Sequence, residues 1–395
     1  MNQTLITELA SKKDRAILKM IFQYKAISRP ELLELSKLKT ATLYRTIDSL
    51  LSKNLALVAK TDESASVGRP SDILTINGDY AHIYCILVRR TESTIAIVDF
   101  AGEIIYEKSF DCSDMTPAQV VSHCYELYNS SVKQLGIDEK KLLGIGISTF
   151  GEPVYSIDEE ALPVYPGFKW GKYDVVSELE KTFKKPVWFE YNARSAVEGF
   201  YLNKYFRDYS NLAYIIIDEG IGIGIIIDGT MIRGNTRGDT QIVNGLGHMV
   251  VDINGPKCIC GKYGCMETRV SRLAILSSAI AELKLGKESV LRDKMQSLTW
   301  LDVCKAGDSG DKLASYVIEN AAHIFSIGLE NFLNILDINL IIIGGGVPEN
   351  SKLFYNTVKN KFNKINPRLK IEIDSNEKEM ILKGCAASFV LDLLK

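Results

Sequence analysis

The sequence predicts an α/β protein that carries a helical head at its amino end. Over residues 78–395, apolar strand-like runs such as Ile83–Val88 and Leu143–Ser148 alternate with helical stretches, the pattern of sheets covered by helices. Residues 1–77 read instead as helices and one hairpin, and they carry 12 Lys/Arg against 8 Asp/Glu where the remaining chain carries 35 against 41. With 395 residues, 46% hydrophobic and 24% charged, the composition is that of a folded protein of two or three domains.

In the head, Asp14 to Tyr24 places Ile17, Leu18, Ile21 and Phe22 at helical spacing. Ser28 to Glu31 forms a capping box with proline in the first turn, opening a helix through Leu35. After a short turn, Ser36 to Lys39, Thr40 can cap a third helix from Ala41 to Lys53. Leu43, Ile47, Leu50 and Leu51 share one face of it, and Ala41, Thr42, Arg45, Ser49 and Ser52 share the other. Leu55–Ala59 and Asp72–Ile76 then bracket the polar loop Thr61 to Pro70 as two strands and a wing.

That order is the order of a winged helix-turn-helix, whose third helix enters the major groove of DNA. Lys39, Thr40, Thr42, Arg45 and Ser49 would face base edges or phosphates, and Arg69, in Gly68-Arg69-Pro70, would contact phosphate or the minor groove. The plainer alternative is an amphipathic cap with a solvated polar face. It leaves the short turn, the wing and the local positive charge without a reason.

In the body, Ile83–Val88 and Thr94–Asp99 read as a strand pair, Leu143–Ser148 as a buried strand, and Leu212–Asp218 with Gly224–Gly229 as a hairpin. A long helical stretch, Asp311 to Leu336, precedes a strand at Asn339 that enters the glycine turn Gly344 to Gly346. The basic run Lys359–Lys370 reads as a solvated helix face.

Three thiols, Cys258, Cys260 and Cys265, fall within eight residues, and His248 lies ten positions upstream. This Cys3His set matches one tetrahedral, fully protein-ligated and therefore structural zinc, one per chain. Cys258 and Cys260 are too close to pair comfortably and three is an odd number, which argues against disulfides. Cys85, Cys112, Cys124, Cys304 and Cys385 are scattered among apolar residues and read as small buried hydrophobes. The amino terminus lacks a signal peptide's apolar block, and no run approaches a membrane span, so a cytoplasmic location is expected.

Taken together, these residues resemble the ROK family, sugar kinases and winged-helix sugar-responsive repressors that include xylose and N-acetylglucosamine repressors. Gly247-His248 and the block from Cys258 to Glu267 look like its zinc signature. Gly220–Gly224, Asp228-Gly229 and Gly344–Gly346 look like the glycine turns that face nucleotide in the kinases, and a reading head ending in Gly-Arg-Pro is a mark of the repressor branch. The resemblance implies an actin/hexokinase-like (ribonuclease H-like) body: residues 78–190 plus 375–395 as a first lobe, 191–374 as a second with the zinc site, and 1–77 as the head. It also implies a last helix packed onto the first lobe, and a homodimer or higher homo-oligomer.

Departures from the family pattern choose between the branches. Aligned back from Asp99, Leu87 stands where kinases carry a phosphate-side carboxylate and Arg89 where they carry a glycine. Asn192 occupies the position of the aspartate base, and an amide cannot take the proton of a sugar hydroxyl. Glu190, on the same strand face but about 6–7 Å away, is a poor substitute. Tyr191 stands where an asparagine usually contacts sugar, and Gly245 replaces a carboxylate that bonds sugar hydroxyls. No catalytic residue is therefore assigned. Tyr191, Asn192, His248 and Glu267 are left as effector contacts, for a sugar, a sugar phosphate or another polar metabolite.

The expected function is a regulator that binds double-stranded operator DNA, a repressor of carbohydrate-related genes with a non-catalytic kinase-like body. A sugar kinase with an added head and a ligand-independent DNA-binding protein are the competing readings.

Overall fold

The computed structural model describes residues 11–62, 71–149, 173–233, 242–258 and 260–395. Its head opens with α1 (Lys12–Tyr24), capped by the Ser11 hydroxyl, which accepts from Lys13 N. Ile17, Leu18, Ile21 and Phe22 are all buried, as their spacing requires. The two-residue strand β1 (Ile27–Ser28) leads into α2 (Arg29–Ser36) through the expected capping box: Glu31 N donates to Ser28 Oγ, and Ser28 N donates to Glu31 Oε2 at 2.8 Å. Lys37 ends the helix in the left-handed region, at φ 53°.

Helix α3 (Thr40–Ser52) follows, and here one expectation is corrected: Lys39 holds the N-cap position, Thr40 is the first helical residue, and no side chain caps the end. The extended residue that an N-cap needs falls at Lys39 because the chain leaves its left-handed turn two residues earlier. Leu43, Ile47 and Leu50 are buried, Thr46 joins them, and Leu51 is half-buried at the helix edge. Strands β2 (Ala56–Asp62) and β3 (Ser71–Ile76) pair antiparallel, with β1 on the other side of β3. The loop between them, with Arg69, lies outside the described residues.

The described residues as far as 208, joined by 378–395, form one compact unit, and those from 209 to 377 form another. In the first, β4 (His82–Val88), β5 (Glu92–Asp99) and β6 (Ile104–Asp111) form an antiparallel meander. Helix α4 (Pro117–Leu135) crosses over to β7 (Leu142–Thr149), and α5 (Val175–Phe183) precedes β8 (Val187–Tyr191). Both β7 and β8 lie parallel, giving the order β6-β5-β4-β7-β8. Every residue of β4 and β7 is buried, because helices cover both faces. On one face Tyr84, Ile86, Ile145 and Ile147 pack with Val121 and Leu127 of α4 and Leu179 of α5.

On the other face lies the C-terminal helix (Glu377–Leu393), where Cys385 and Phe389 close on Gly146 and Gly144 of β7. Strand β8 runs straight into α6 (Asn192–Phe200), which crosses that helix closely enough for a Cβ on Gly199 to strike the Met380 carbonyl and one on Gly384 to strike that of Ser195. This crossing keeps α6 in the first unit, so the unit extends past the boundary expected at residue 190.

The second unit is built on β9 (Leu212–Ile217), β10 (Ile221–Ile227) and β11 (Thr230–Met231), joined later by β12 (Leu340–Gly344) and β13 (Lys370–Ile373) in the order β11-β10-β9-β12-β13. Because β10 begins at Ile221, Gly222 and Gly224 sit within a strand and not in a turn; the turn itself is residues 218–220. Asp228 and Gly229, both at positive φ, make the next turn. Gly345, at φ 95°, passes against the backbone of Ile217, an approach no larger residue could make. The helices are α7 (Glu267–Val270), α8 (Arg272–Lys284), α9 (Trp300–Asp308), α10 (Lys312–Leu333), α11 (Gly346–Asn350) and α12 (Lys352–Ile365). The last contains most of the basic run and buries Phe354, Val358 and Phe362 while its lysines stay on the outer side.

Candidate metal centre, effector residues and DNA-facing helix

His248 ends a short 3-10 segment (Ile242–His248), and the chain then folds back so that Val250 bridges Cys265 and Lys257 bridges Tyr263. Gly261 and Gly264 take φ values of 87° and 70°, and a Cβ at Gly264 would collide with the backbone of Asp252. Glycine is therefore required for the loop to close as tightly as it does. Arg269 pins the loop from outside, 2.7 Å from Asp252 Oδ2, and Lys262 Nζ donates to the His248 carbonyl at 2.9 Å.

The closure brings the donor atoms of His248, Cys258, Cys260 and Cys265 within 4.8 Å of one another. Cys258 Sγ lies 3.5 Å from His248 Nδ1, and Cys260 Sγ lies 3.6 Å from Cys265 Sγ. A tetrahedral ion with bonds of about 2.3 Å to sulfur and 2.0–2.1 Å to nitrogen sets its donors about 3.5–3.8 Å apart, so this cluster has the size to hold a metal. All three cysteines are unpaired by disulfide, as are the five scattered ones, every one of which is buried.

Two residues past the last of these thiols, the buried Glu267 accepts a hydrogen bond from Ile221 N through Oε2 at 2.9 Å and lies against Gly220 and Gly247. The metal loop and Glu267 thus share one short path, and the glycines leave room for the carboxylate. At Gly245 no atom of the described residues approaches within 4 Å of a Cβ, and the position supplies no side chain.

Tyr191 and Asn192 belong to the first unit. Asn192 is the first residue of α6, and Tyr191 its N-cap, so the expectation that Glu190 and Asn192 share a strand face is corrected: the strand stops at Tyr191. Asn192 is buried, and its Oδ1 accepts from Ser148 Oγ at 3.0 Å, with Ser195 Oγ another 3.0 Å away. Glu190, also buried, faces Arg194 Nη1 at 3.5 Å, and the guanidinium stacks 5.0 Å from the Tyr191 ring. Arg194, Ser148 and Ser195 were not singled out by the sequence. Arg194 had a signal, its i,i+4 spacing from Glu190; the serines, on other elements or turned inward, had none. Leu87 is buried in β4 between Thr94 and Ser148, with no acceptor to offer a phosphate, and Arg89 follows the strand half-buried.

On α3, Arg45 is exposed, as are Lys39 and Thr40 at its start, while Thr42 and Ser49 are half-buried. The exposed face also presents Tyr44 and Asp48, which the sequence reading passed over. Arg29 organises both: its guanidinium lies 5.1 Å from the Tyr44 ring and pairs with Asp72 at 3.1 Å and Asp48 at 3.9 Å.

Among the described residues no helix is long and apolar enough to cross a membrane. Known proteins resemble the chain over nearly its whole length. A xylose repressor from Caldicellulosiruptor bescii is 26% identical over 404 aligned positions, covering 100% of this chain and 98% of its own length. The Escherichia coli DNA-binding transcriptional dual regulator NagC is 26% identical over 365 positions, with 92% of this chain and 86% of its own covered. Among solved structures, a ROK family transcriptional regulator, a homologue of the E. coli Mlc protein, matches with a TM-score of 0.78 at 22% identity, covering 97% of this chain and 98% of its own. A ROK glucokinase from Streptomyces griseus, solved with glucose and AMPPNP, matches with a TM-score of 0.60 at 21% identity, covering 78% of this chain and 99% of its own. The regulator thus accounts for nearly all of this chain and the glucokinase for about four-fifths of it. The ROK family model itself matches residues 83–374, and on that breadth the chain belongs to the ROK family.

Proposed function

We propose that this chain is a transcriptional regulator that binds operator DNA, a repressor of carbohydrate-related genes whose body has lost kinase chemistry and serves as an effector-binding core. The observation that carries the reading is nearly full-length similarity to proteins named as repressors, where a kinase of the family accounts for only 78% of this chain. Helix α3 supports it, since Lys39, Thr40, Thr42, Arg45 and Ser49 lie on or beside its solvent-facing side while its apolar side is used up in the core. A homodimer would present two such helices to half-sites one helical turn or a multiple apart. A DNA partner fits a cytoplasmic protein.

Zinc is the metal that suits the Cys3His set, and its role is to brace the segment carrying His248 and Glu267. His248, Glu267, Tyr191 and Asn192 are the residues we assign to a sugar-like effector. Any control by that effector requires different affinity for two arrangements of the protein. Loss of the base at Asn192, of a phosphate-side carboxylate at Leu87 and of a hydroxyl acceptor at Gly245 argues against the kinase reading.

Footprinting with full-length protein tests the assignment. Arg45→Ala is expected to weaken the protected sequence by about 1–3 kcal/mol if Arg45 reads a base, whereas Lys39→Ala is expected to weaken all sequences alike and flatten the salt dependence. If the wild-type protein protects no DNA at low salt, the regulator reading is wrong.

A further inference from the structure

The head is fastened to the rest of its unit at a small, specific clasp. Helix α6 continues through one π turn, Tyr201–Tyr205, to Phe206 and Arg207. Arg207 Nη2 donates to the Ala26 carbonyl at 2.8 Å, its Nη1 lies 3.3 Å from Glu31 Oε1, and its guanidinium stacks 4.9 Å from the Tyr24 ring. Phe206 meets the other side of the contact, edge-on to Tyr24 at 4.8 Å and 5.2 Å from Tyr201. One side chain therefore touches the end of α1, the link after it and the first turn of α2.

Glu31 is divided between two tasks. Its Oε2 closes the capping box of α2, and its Oε1 takes the arginine. A second fastening lies beside the first: Lys25 Nζ donates to the Ala101 carbonyl at 2.7 Å in the β5–β6 turn. The ammonium there is largely buried and fixed, whereas Arg207 and Glu31 are each about half exposed, at 50% and 46%. A half-exposed ion pair is weak by itself. The two fastenings thus differ in burial, and Arg207 is the more exposed of the two cations.

We propose that Arg207 is the positioning residue of the reading head: by holding Tyr24, Ala26 and Glu31 together it fixes the angle at which α3 is presented to DNA. The proposal rests on the reading that the chain binds DNA as a dimer. A π turn at the end of α6 suits this task, because it offsets the chain by one residue and so aims Arg207 outward from a helix that is otherwise wholly buried.

The test uses full-length protein and DNA carrying two copies of the sequence that the wild type protects, their separation varied by single base pairs through a helical turn. Wild type is expected to bind one spacing at least tenfold better than the spacing half a turn away. Arg207→Ala is expected to bind a single copy within twofold of wild type yet to lose most of the spacing contrast, with Arg207→Lys, which keeps the charge but not the planar fork, in between. Full spacing contrast in Arg207→Ala would overturn the proposal, and so would loss of single-copy binding, since that would mean the residue merely holds the head folded. A second measurement needs no DNA: distances between genetically encoded spin labels at Ser52 and Lys133 are expected to broaden in Arg207→Ala, and an unchanged distribution overturns the clasp. Failure of the wild type to bind any DNA would sink the regulator reading alone, because the label distances still judge the clasp.

Discussion

The metal loop of the second unit and the β8–α6 junction of the first both gather polar side chains in a small volume, yet the two gatherings are opposite in kind. In the loop, four lone-pair donors converge within 4.8 Å of one another, His248 Nδ1 and Cys258 Sγ being 3.5 Å apart, and three of the four are thiols. Such donors repel one another once deprotonated, so the arrangement calls for a positive ion at its centre. At the junction, Ser148, Asn192 and Ser195 form one hydrogen-bonded group and Glu190 pairs with Arg194. Donors there face acceptors, Ser148 Oγ against Asn192 Oδ1 and Arg194 Nη1 against Glu190 Oε1. A cluster of like donors has a physical reason to hold a cation, whereas a cluster of opposed donors and acceptors is held together by its own hydrogen bonds.

The sharpest break in that comparison is removal of a metal ligand. We expect purified protein to hold about one zinc per chain and Cys260→Ser to lose it, with a stability loss on the order of 5 kcal/mol or more, because binding free energy at a structural site is folding free energy. Elemental analysis and thermal melting measure both quantities. A variant that keeps its zinc and its melting temperature would show that the four donors are only neighbours.

The first unit should instead respond to protons. His82, buried at the start of β4, has no partner for Nε2 among the described residues. Burial pushes its pKa down from 6.5 to about 4, and the positive charges of Lys185 and Lys141 act in the same direction against a small opposing effect of Asp138. Since the folded value lies below the unfolded one, the stability that the neutral ring confers is complete above about pH 6.5 and is lost progressively as pH falls toward 4. Between pH 7 and pH 5 this amounts to about 2 kcal/mol, which His82→Leu should remove from the pH dependence of urea unfolding. An unaltered pH dependence in the variant would refute the assignment.

What the sequence made legible divides along the same line. All four metal donors fall between His248 and Cys265, and the capping box of α2 spans four residues, so each pattern could be read within one short window. The helical periods of α1 and α3 were equally local. The places where the reading slipped needed distant partners or backbone detail. Thr40 lost the N-cap to Lys39 because of a left-handed turn at Lys37 that no side chain announces. The network at Asn192 depends on Ser148, 44 residues away, and the Arg207 clasp reaches Glu31 across 176 residues. The end of β8 at Tyr191 was misplaced by one residue, enough to turn Asn192 from a strand face into a helix start.

The smallest expected effect is the most exacting for the comparison: wild type should show no sugar-dependent ATP hydrolysis, and Asn192→Asp should not create it. Restoring a carboxylate supplies a proton acceptor, and a general base in place contributes about 10²–10⁴ in rate. But that carboxylate would enter a buried pocket where the Asn192 oxygen already accepts from Ser148, and where Glu190 already holds the neighbouring arginine. An acid placed there would be satisfied by the same hydroxyl and would have no sugar proton to take unless the substrate were also held. Phosphoryl transfer depends mainly on positioning and charge stabilisation, and Leu87, buried in β4, offers nothing to orient a metal-bound phosphate. Coupled-enzyme assays with ATP and a panel of hexoses and N-acetylhexosamines measure the outcome. Turnover by the wild type would overturn the non-catalytic reading outright, and turnover only in Asn192→Asp would mean that the junction is still an active site lacking one proton acceptor.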